Sequence, residues 1–231
     1  MPFRSREYTG KGYEVNVMLF ADRIDAGRRL AEALRKEPPS TEKPRLVGAL
    51  PRGGVVVGAE VAAGLGLPLE VLVARKIGAP GQPEVAIGAV AWDGTMLLNE
   101  GLIGWAGIPR AYVEAEGRRQ AAETGRLLRG LRGERPLPQW RDREVIVVDD
   151  GIATGFTVRA AVRALRNEGA AAVWVAVPVA PSEVRDELAK EVDRLVVLYT
   201  PEYFRAVGEF YEDFGQVEEE EVRRLLALHG A

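Results

Sequence analysis

Glu144-Val145-Ile146-Val147-Val148-Asp149-Asp150-Gly151-Ile152-Ala153-Thr154-Gly155-Phe156-Thr157 joins an apolar run, two acids and a turn of small residues. Four β-branched residues in a row, with no polar interruption, suit a strand covered on both faces, as in a parallel sheet. Two adjacent carboxylates at the mouth of such a sheet sit where ligands of open α/β folds bind. They can accept hydrogen bonds from sugar hydroxyls or help hold a hydrated cation. Gly151, Ala153 and Gly155 let the main chain approach a ligand. Thr154 and Thr157 add hydroxyls just where a helix from about Phe156 exposes unpaired N–H groups. A phosphate is favoured there. The stretch therefore reads as a cradle for a phosphorylated sugar.

Upstream, Arg45-Leu46-Val47-Gly48-Ala49-Leu50 predicts a second apolar strand, broken by Pro51-Arg52-Gly53-Gly54 before a helical run over 55–64. The glycines strip side chains from a turn whose amides can grip an anion, and Arg52 adds a charge. The plain alternative is an ordinary strand-to-helix connection. Residues 69–74 read as a further strand. Arg75-Lys76-Ile77-Gly78-Ala79-Pro80-Gly81-Gln82-Pro83-Glu84 is too rich in Gly and Pro for a regular element and reads as a mobile loop. Arg75 and Lys76 serve equally well as a solvated strand end. The apolar runs 85–90 and 95–98 flank Trp92-Asp93-Gly94, where Asp-Gly signals a hairpin.

With these residues in view, the chain resembles the type I phosphoribosyltransferases. The 144–157 stretch is similar to their phosphoribosyl-pyrophosphate (PRPP) motif: an apolar strand, two acids, two variable residues, then a small or acidic residue and Thr-Gly-x-Thr. The resemblance implies that Asp149 and Asp150 contact the ribose hydroxyls, while Ala153, Thr154, Gly155, Phe156 and Thr157 wrap the 5′-phosphate. It implies that Pro51, Arg52, Gly53 and Gly54 form the pyrophosphate loop, with a cis peptide at Pro51–Arg52. The 75–84 segment would be the flexible loop that closes over the reacting centre, with Arg75 and Lys76 facing the pyrophosphate. Strings close to R-K-x-G-A-P-G-x-P-E-x-A-I-G-A-V mark a subgroup of predicted phosphoribosyltransferases. One departure counts against a 6-oxopurine acceptor. The purine-salvage branch has an Asp, proposed to assist proton transfer, where this chain has Ala153.

Composition narrows the chemistry. The chain has 231 residues, a formal net charge of −3, no cysteine and one histidine. Disulfides, thiolate nucleophiles and Cys-based zinc sites are excluded. His229 lies two residues from the end and reads as frayed surface. Ser5, Ser40 and Ser182 occupy no nucleophile elbow. The charge offers nucleic acid no global attraction. No signal peptide or membrane-spanning run is evident, so the expected compartment is the cytoplasm. Strand and helix patterns continue without a polar linker, giving one domain over 1–231 with a core at about 15–200 and a tail at 201–231.

The rest of the chain fills in the fold. Ile24, Leu30 and Leu34, with Asp22 as cap, describe a helix; residues 109–131 describe a longer one with a solvated charged face, and 133–143 a loop. Helices over 158–168 and 182–192 alternate with strands over 172–179 and 195–199, and Glu218–Glu221 opens a last helix. Alternation predicts an α/β fold: a doubly wound, mostly parallel sheet flanked by helices, with a flexible loop or hairpin and a small hood. Tyr203, Phe204, Phe210 and Tyr211, with Phe214, crowd the tail. They can stack on a base as that hood or anchor the tail against the sheet.

The resemblance implies transfer of the phosphoribosyl group from PRPP, with Mg²⁺, to a small nitrogenous acceptor. Arg52, Lys76, Asp149 and Asp150 would carry the chemistry. Mg²⁺ would be held through PRPP and by Asp149 and Asp150, and a homodimer is left open. Two alternatives use the same cradle: a sensor of PRPP or nucleotides, and a hydrolase or phosphorylase of phosphoribosyl compounds.

Overall fold

The computed structural model describes residues 4–8 and 14–18 as backbone and, with side chains, 20–133, 135 and 138–230. Strands β1 (Arg4–Tyr8) and β2 (Glu14–Met18) pair antiparallel as a separate two-stranded sheet. The loop expected over 133–143 falls at 134, 136 and 137 outside the described residues.

The central sheet holds β3 (Arg45–Ala49), β4 (Leu69–Val71), β8 (Glu144–Val148), β9 (Ala172–Val179) and β10 (Arg194–Tyr199), all parallel, in the order β10-β9-β8-β3-β4. From β3 the chain first builds outward to β4. It then returns to β3's other side and builds outward from β8. The switch point thus lies between β3 and β8, where open parallel sheets bind ligands at the carboxyl ends of their strands.

β8 is buried throughout. Ile146 and Val148 enter one apolar layer with Leu30 of α1 (Arg23–Leu34), Val55 and Val61 of α2 (Gly53–Leu65), and Val222 and Leu226 of α7 (Glu219–His229). Val145 and Val147 enter the opposite layer with Val158 and Leu165 of α5 (Phe156–Asn167) and Leu188 of α6 (Ser182–Leu188). Period-two alternation of an uninterrupted apolar run between two helical layers is what a doubly wound strand requires. The predicted α/β class is the observed one.

The segment 75–84 departs from the irregular loop expected of it. β5 (Ala74–Ala79) and β6 (Gln82–Ala91) form an antiparallel hairpin closed at Pro80-Gly81, and β7 (Met96–Leu98) adds to β6. Pro and Gly here punctuate a tight turn, with Gly81 at φ 70°. A second small residue, Gly78, lets the strands meet: a Cβ there would lie 2.7 Å from the Pro83 carbonyl oxygen. Ile77, Ile87 and Val90 pack on Ile103 of α3 (Glu100–Trp105) and Val113 of α4 (Arg110–Arg132). Ala89 and Ala91 pack on Ala160 and Ala164 of α5. The far end, residues 82–85, is exposed.

The tail is built into the body. α7 supplies Val222 and Leu226 to the core, and Gly230 bridges to Leu69 of β4. Phe210 and Tyr211, read either as hood rings or as anchors of the tail, are only 3% and 6% exposed and pack with Phe20 and Val179. Rings so covered cannot stack on a base. Phe204 stacks on Phe210 at 5.4 Å, which leaves Tyr203, 68% exposed, as the open ring of the four.

Candidate functional site

Both sequence motifs reach the switch point, and glycine is the reason they can meet. A Cβ on Gly53 would lie 1.9 Å from Asp150 Oδ2, and one on Gly54 would lie 2.7 Å from Asp149 Oδ1. The Pro51–Gly54 turn after β3 therefore rests directly on the acid pair after β8. The Pro51–Arg52 peptide is cis, as the resemblance implies. α2 opens behind this turn and α5 behind the Ala153–Gly155 turn, each without a side-chain cap on its first N–H groups. Those donors remain available to an anion. Gly155 takes φ 76°, the left-handed conformation that turns the chain into α5. Ala153 and Thr154 are exposed, and Phe156 and Thr157 are half-buried at the start of that helix.

The acids are wired individually. Asp149 Oδ1 accepts from the Asp150 N–H at 2.9 Å, and Asp150 Oδ2 accepts from Arg23 Nε at 2.7 Å. Tyr211 Oη donates to the Asp150 carbonyl at 2.6 Å. Burial, then the neighbouring Asp150 charge, pushes the Asp149 pKa well above the ordinary carboxylate value. Asp150 is also raised by burial, while its hydrogen bond and charge contact with Arg23 pull it back. Tyr211, buried beside them, has its phenol pKa raised, first by burial and then by the Asp150 charge.

Arg52 is exposed and its guanidinium stands 3.9 Å from Glu218 at the start of α7. Arg75 and Lys76 lie instead in a cleft of about 550 Å³ between the β5–β6 hairpin and α4, lined also by Glu84, Tyr112, Arg119 and Thr157. Thr157 belongs to the phosphate turn as well, so the cleft begins where the turn ends. Arg75 Nε donates to Gln120 Oε1 at 2.8 Å, and Gln120 Nε2 donates to Glu116 Oε1 at 2.8 Å. Among the described residues the Lys76 ammonium makes no hydrogen bond or ion pair.

Arg23, Tyr112 and Gln120 are site neighbours that sequence reasoning missed. Arg23 follows a cap residue on an amphipathic helix and looks like any other surface arginine; its partner is 127 residues away. Tyr211 reads from sequence as a ring for stacking or for anchoring the tail, with no sign of the bond from its hydroxyl to the Asp150 carbonyl.

The phosphoribosyl transferase domain family matches residues 19–211. The chain belongs to that family. Proteins of Mycobacterium tuberculosis strains CDC 1551/Oshkosh and ATCC 25618/H37Rv, each named "Putative phosphoribosyl transferase", share 42% identity with it over 208 residues, 90% of this chain. The chain spans 46% of the length of these relatives. The crystal structure of TT1426 from Thermus thermophilus is 42% identical and matches with a TM-score of 0.76, covering 93% of this chain and all of that one. The phosphoribosyl transferase domain thus takes in both strand-end motifs and the hairpin cleft, and stops at Tyr211, before α7.

Proposed function

We propose that this phosphoribosyl transferase domain is a cytoplasmic enzyme of nucleotide or nucleoside metabolism. It transfers the 5-phosphoribosyl group of PRPP to a small nitrogenous acceptor and releases pyrophosphate. The observation that supports the reading is the close approach of Gly53 and Gly54 to Asp150 and Asp149 across the switch point, which brings the Pro51–Gly54 turn and the acid pair together. Asp149 and Asp150 hold the ribose hydroxyls. The N–H groups of Ala153–Thr157, with the Thr154 and Thr157 hydroxyls, hold the 5′-phosphate. Pro51–Gly54, with Arg52, Arg75 and Lys76, holds the pyrophosphate.

Catalysis is orientation plus electrostatics. Positive charge grows on the sugar ring as the bond to pyrophosphate stretches. The paired acids beneath the ring stabilise that charge, and Arg52 and Lys76 stabilise the negative charge on the leaving group. The donor set also fits Mg²⁺: two adjacent carboxylates, one with a strongly raised pKa, gain from a divalent cation. Among the described residues no group of three acids or histidines could hold a metal, so Asp149 and Asp150 would share it with donor phosphates and water. When bound, Mg²⁺ supplies further neutralisation of the pyrophosphate. Ala153 has no carboxyl to assist an acceptor proton, which favours acceptors other than 6-oxopurines.

The test is pyrophosphate release from PRPP and Mg²⁺ with a panel of purines, pyrimidines and small aromatic nitrogen acids. Release that depends on one acceptor is expected. Release without an acceptor indicates hydrolysis, and PRPP binding without release indicates a sensor. Either outcome rejects the transferase assignment.

A further inference from the structure

Arg23 is 11% exposed and is fixed from three sides. Its Nε donates to Asp150 Oδ2 at 2.7 Å, one of its terminal nitrogens donates to the Gly215 carbonyl at 2.8 Å, and its guanidinium lies 3.8 Å from the centre of the Phe214 ring. Phe214 packs on Tyr211 at 5.0 Å, and Tyr211 Oη returns to the Asp150 carbonyl. The circuit is tied down by main chain. Phe20 N–H donates to the Phe210 carbonyl, while Glu212 and Asp213 N–H groups donate to the carbonyls of Phe20 and Ala21. Asp22 then caps α1 through the Asp25 N–H at 2.7 Å.

A planar guanidinium bound at two edges and stacked on one face has little freedom, so it dictates the direction of the carboxylate it holds. Arg23 takes Asp150 Oδ2, and the Asp150 N–H takes Asp149 Oδ1. The two carboxyl groups also meet each other side chain to side chain. Arg23 thus fixes Asp150 directly and Asp149 through it, the two groups read above as facing the vicinal diol.

We propose that Arg23 is a positioning residue: held by the C-terminal segment Tyr211–Gly215, it fixes the direction of Asp150, and through it that of Asp149, against the sugar and thereby sets selectivity for ribose over 2-deoxyribose. The inference rests on the donor-site reading above. A buried ion pair that only supported the fold would, when removed, weaken every ligand of the site together. A positioning role is selective. It acts on the diol and leaves the phosphate turn, built from main-chain N–H groups, alone.

The experiment is calorimetric titration of the full chain with ribose 5-phosphate, 2-deoxyribose 5-phosphate and inorganic phosphate. Arg23→Met is expected to lower ribose 5-phosphate affinity ~10-fold, the scale of one charge-assisted hydrogen bond, with inorganic phosphate affinity within about twofold of wild type. The ratio of ribose to deoxyribose affinity then falls toward unity. Unchanged selectivity, or a parallel loss for all three ligands, overturns the proposal. Should Arg23→Met fail to fold, Arg23→Lys and Phe214→Leu carry the test. Each keeps part of the contact set, so selectivity must fall between wild type and unity, and wild-type selectivity in both overturns the proposal. Asp149→Ala with Asp150→Ala separates the premises. Wild-type ribose 5-phosphate affinity there overturns the donor-site reading itself. Loss there with unchanged Arg23→Met selectivity overturns only the role of Arg23.

Discussion

The acid-pair end of the molecule and the hairpin cleft hold charged groups in opposite ways. Around Asp149 and Asp150 the contacts are short, part-buried and shared with main chain: Arg23 from α1 and glycines from the β3 turn bear on the two carboxylates, and Tyr211 from the tail bonds the Asp150 carbonyl. In the cleft, Arg75 is tied through Gln120 to α4, but Lys76 and Glu84 are exposed on a hairpin whose tip has no cover. On the proposed reading, a donor calls for a fixed receptor, while an acceptor and a departing group call for side chains that can move. The two regions should therefore answer differently to mutation, the first through stability and geometry together, the second through turnover alone.

The largest effect is expected inside the acid pair, and it should be unequal. Asp150→Ala leaves the Arg23 guanidinium desolvated without its carboxylate, a change that costs about 3 kcal/mol and lowers Tm by roughly 6–12 °C in a chain of this size. Asp149→Asn removes a carboxyl that burial and Asp150 already disfavour in its charged form, so stability in metal-free buffer should hold or rise. PRPP affinity should be lost in both. Urea denaturation beside calorimetric titration checks this, and equal destabilisation by the two substitutions would break the contrast between the acids.

Gly53→Ala comes next. The added methyl falls 1.9 Å from Asp150 Oδ2 and 2.5 Å from Arg23 Nε, so the carboxylate and its partner must move. Overpacking of this kind costs about 1–3 kcal/mol, and the displaced acid should lower PRPP affinity by ~10- to 100-fold. Gly104, whose added Cβ would meet open space, is the control position. A Gly53→Ala protein with wild-type affinity would show that the turn and the acid pair do not act as one receptor.

These two regions are also unequally legible in the sequence. The strand-acid-turn order of 144–157 and the glycines of 51–54 are local patterns, and period-two burial of an apolar run sets β8 between two helical layers. The parallel sheet follows from alternation. The hairpin escapes a reading by composition, because Pro80, Gly81 and Pro83 signal irregularity when they are merely counted. In the fold they mark a tight turn and a close strand crossing. Phe210 and Tyr211 cannot be assigned from aromatic content, since a ring that stacks on a ligand and a ring that fills the core are written with the same residues. Arg23 lies beyond reach for a related reason. Its meaning depends on Asp150 and Gly215, which only the tertiary fold brings to it.

Lys76→Ala tests the other half of the comparison. Free of partners among the described residues, the ammonium holds no structure, so Tm should stay within about 1 °C of wild type, as for surface substitutions generally. If Lys76 meets the leaving pyrophosphate, acceptor-dependent turnover should fall by ~10-fold or more with a smaller change in PRPP affinity, the pattern of an interaction strengthened in the transition state. Equal losses in turnover and affinity would place Lys76 with the fixed receptor instead. Pre-steady-state pyrophosphate release distinguishes the two.

The smallest effect should come from Glu116 on the α4 wall of the cleft. Its pKa is held below the ordinary glutamate value, chiefly by the hydrogen bond from Arg119, with burial opposing and the Gln120 amide adding to the lowering. A carboxyl whose folded pKa is depressed stabilises the protein above its unfolded pKa, and that contribution is lost as pH falls through the folded value. Arg119 is largely in solvent, so water and salt screen the pair. Glu116→Gln should therefore differ from wild type in Tm by an amount near the limit of calorimetric detection at neutral pH. The difference should close as pH drops below the reference value of 4.5 and shrink with added salt. A large, salt-insensitive difference would mean that the Arg75–Gln120–Glu116–Arg119 chain is as rigid as the acid pair, and the distinction between a fixed donor receptor and a mobile cleft would have to be given up.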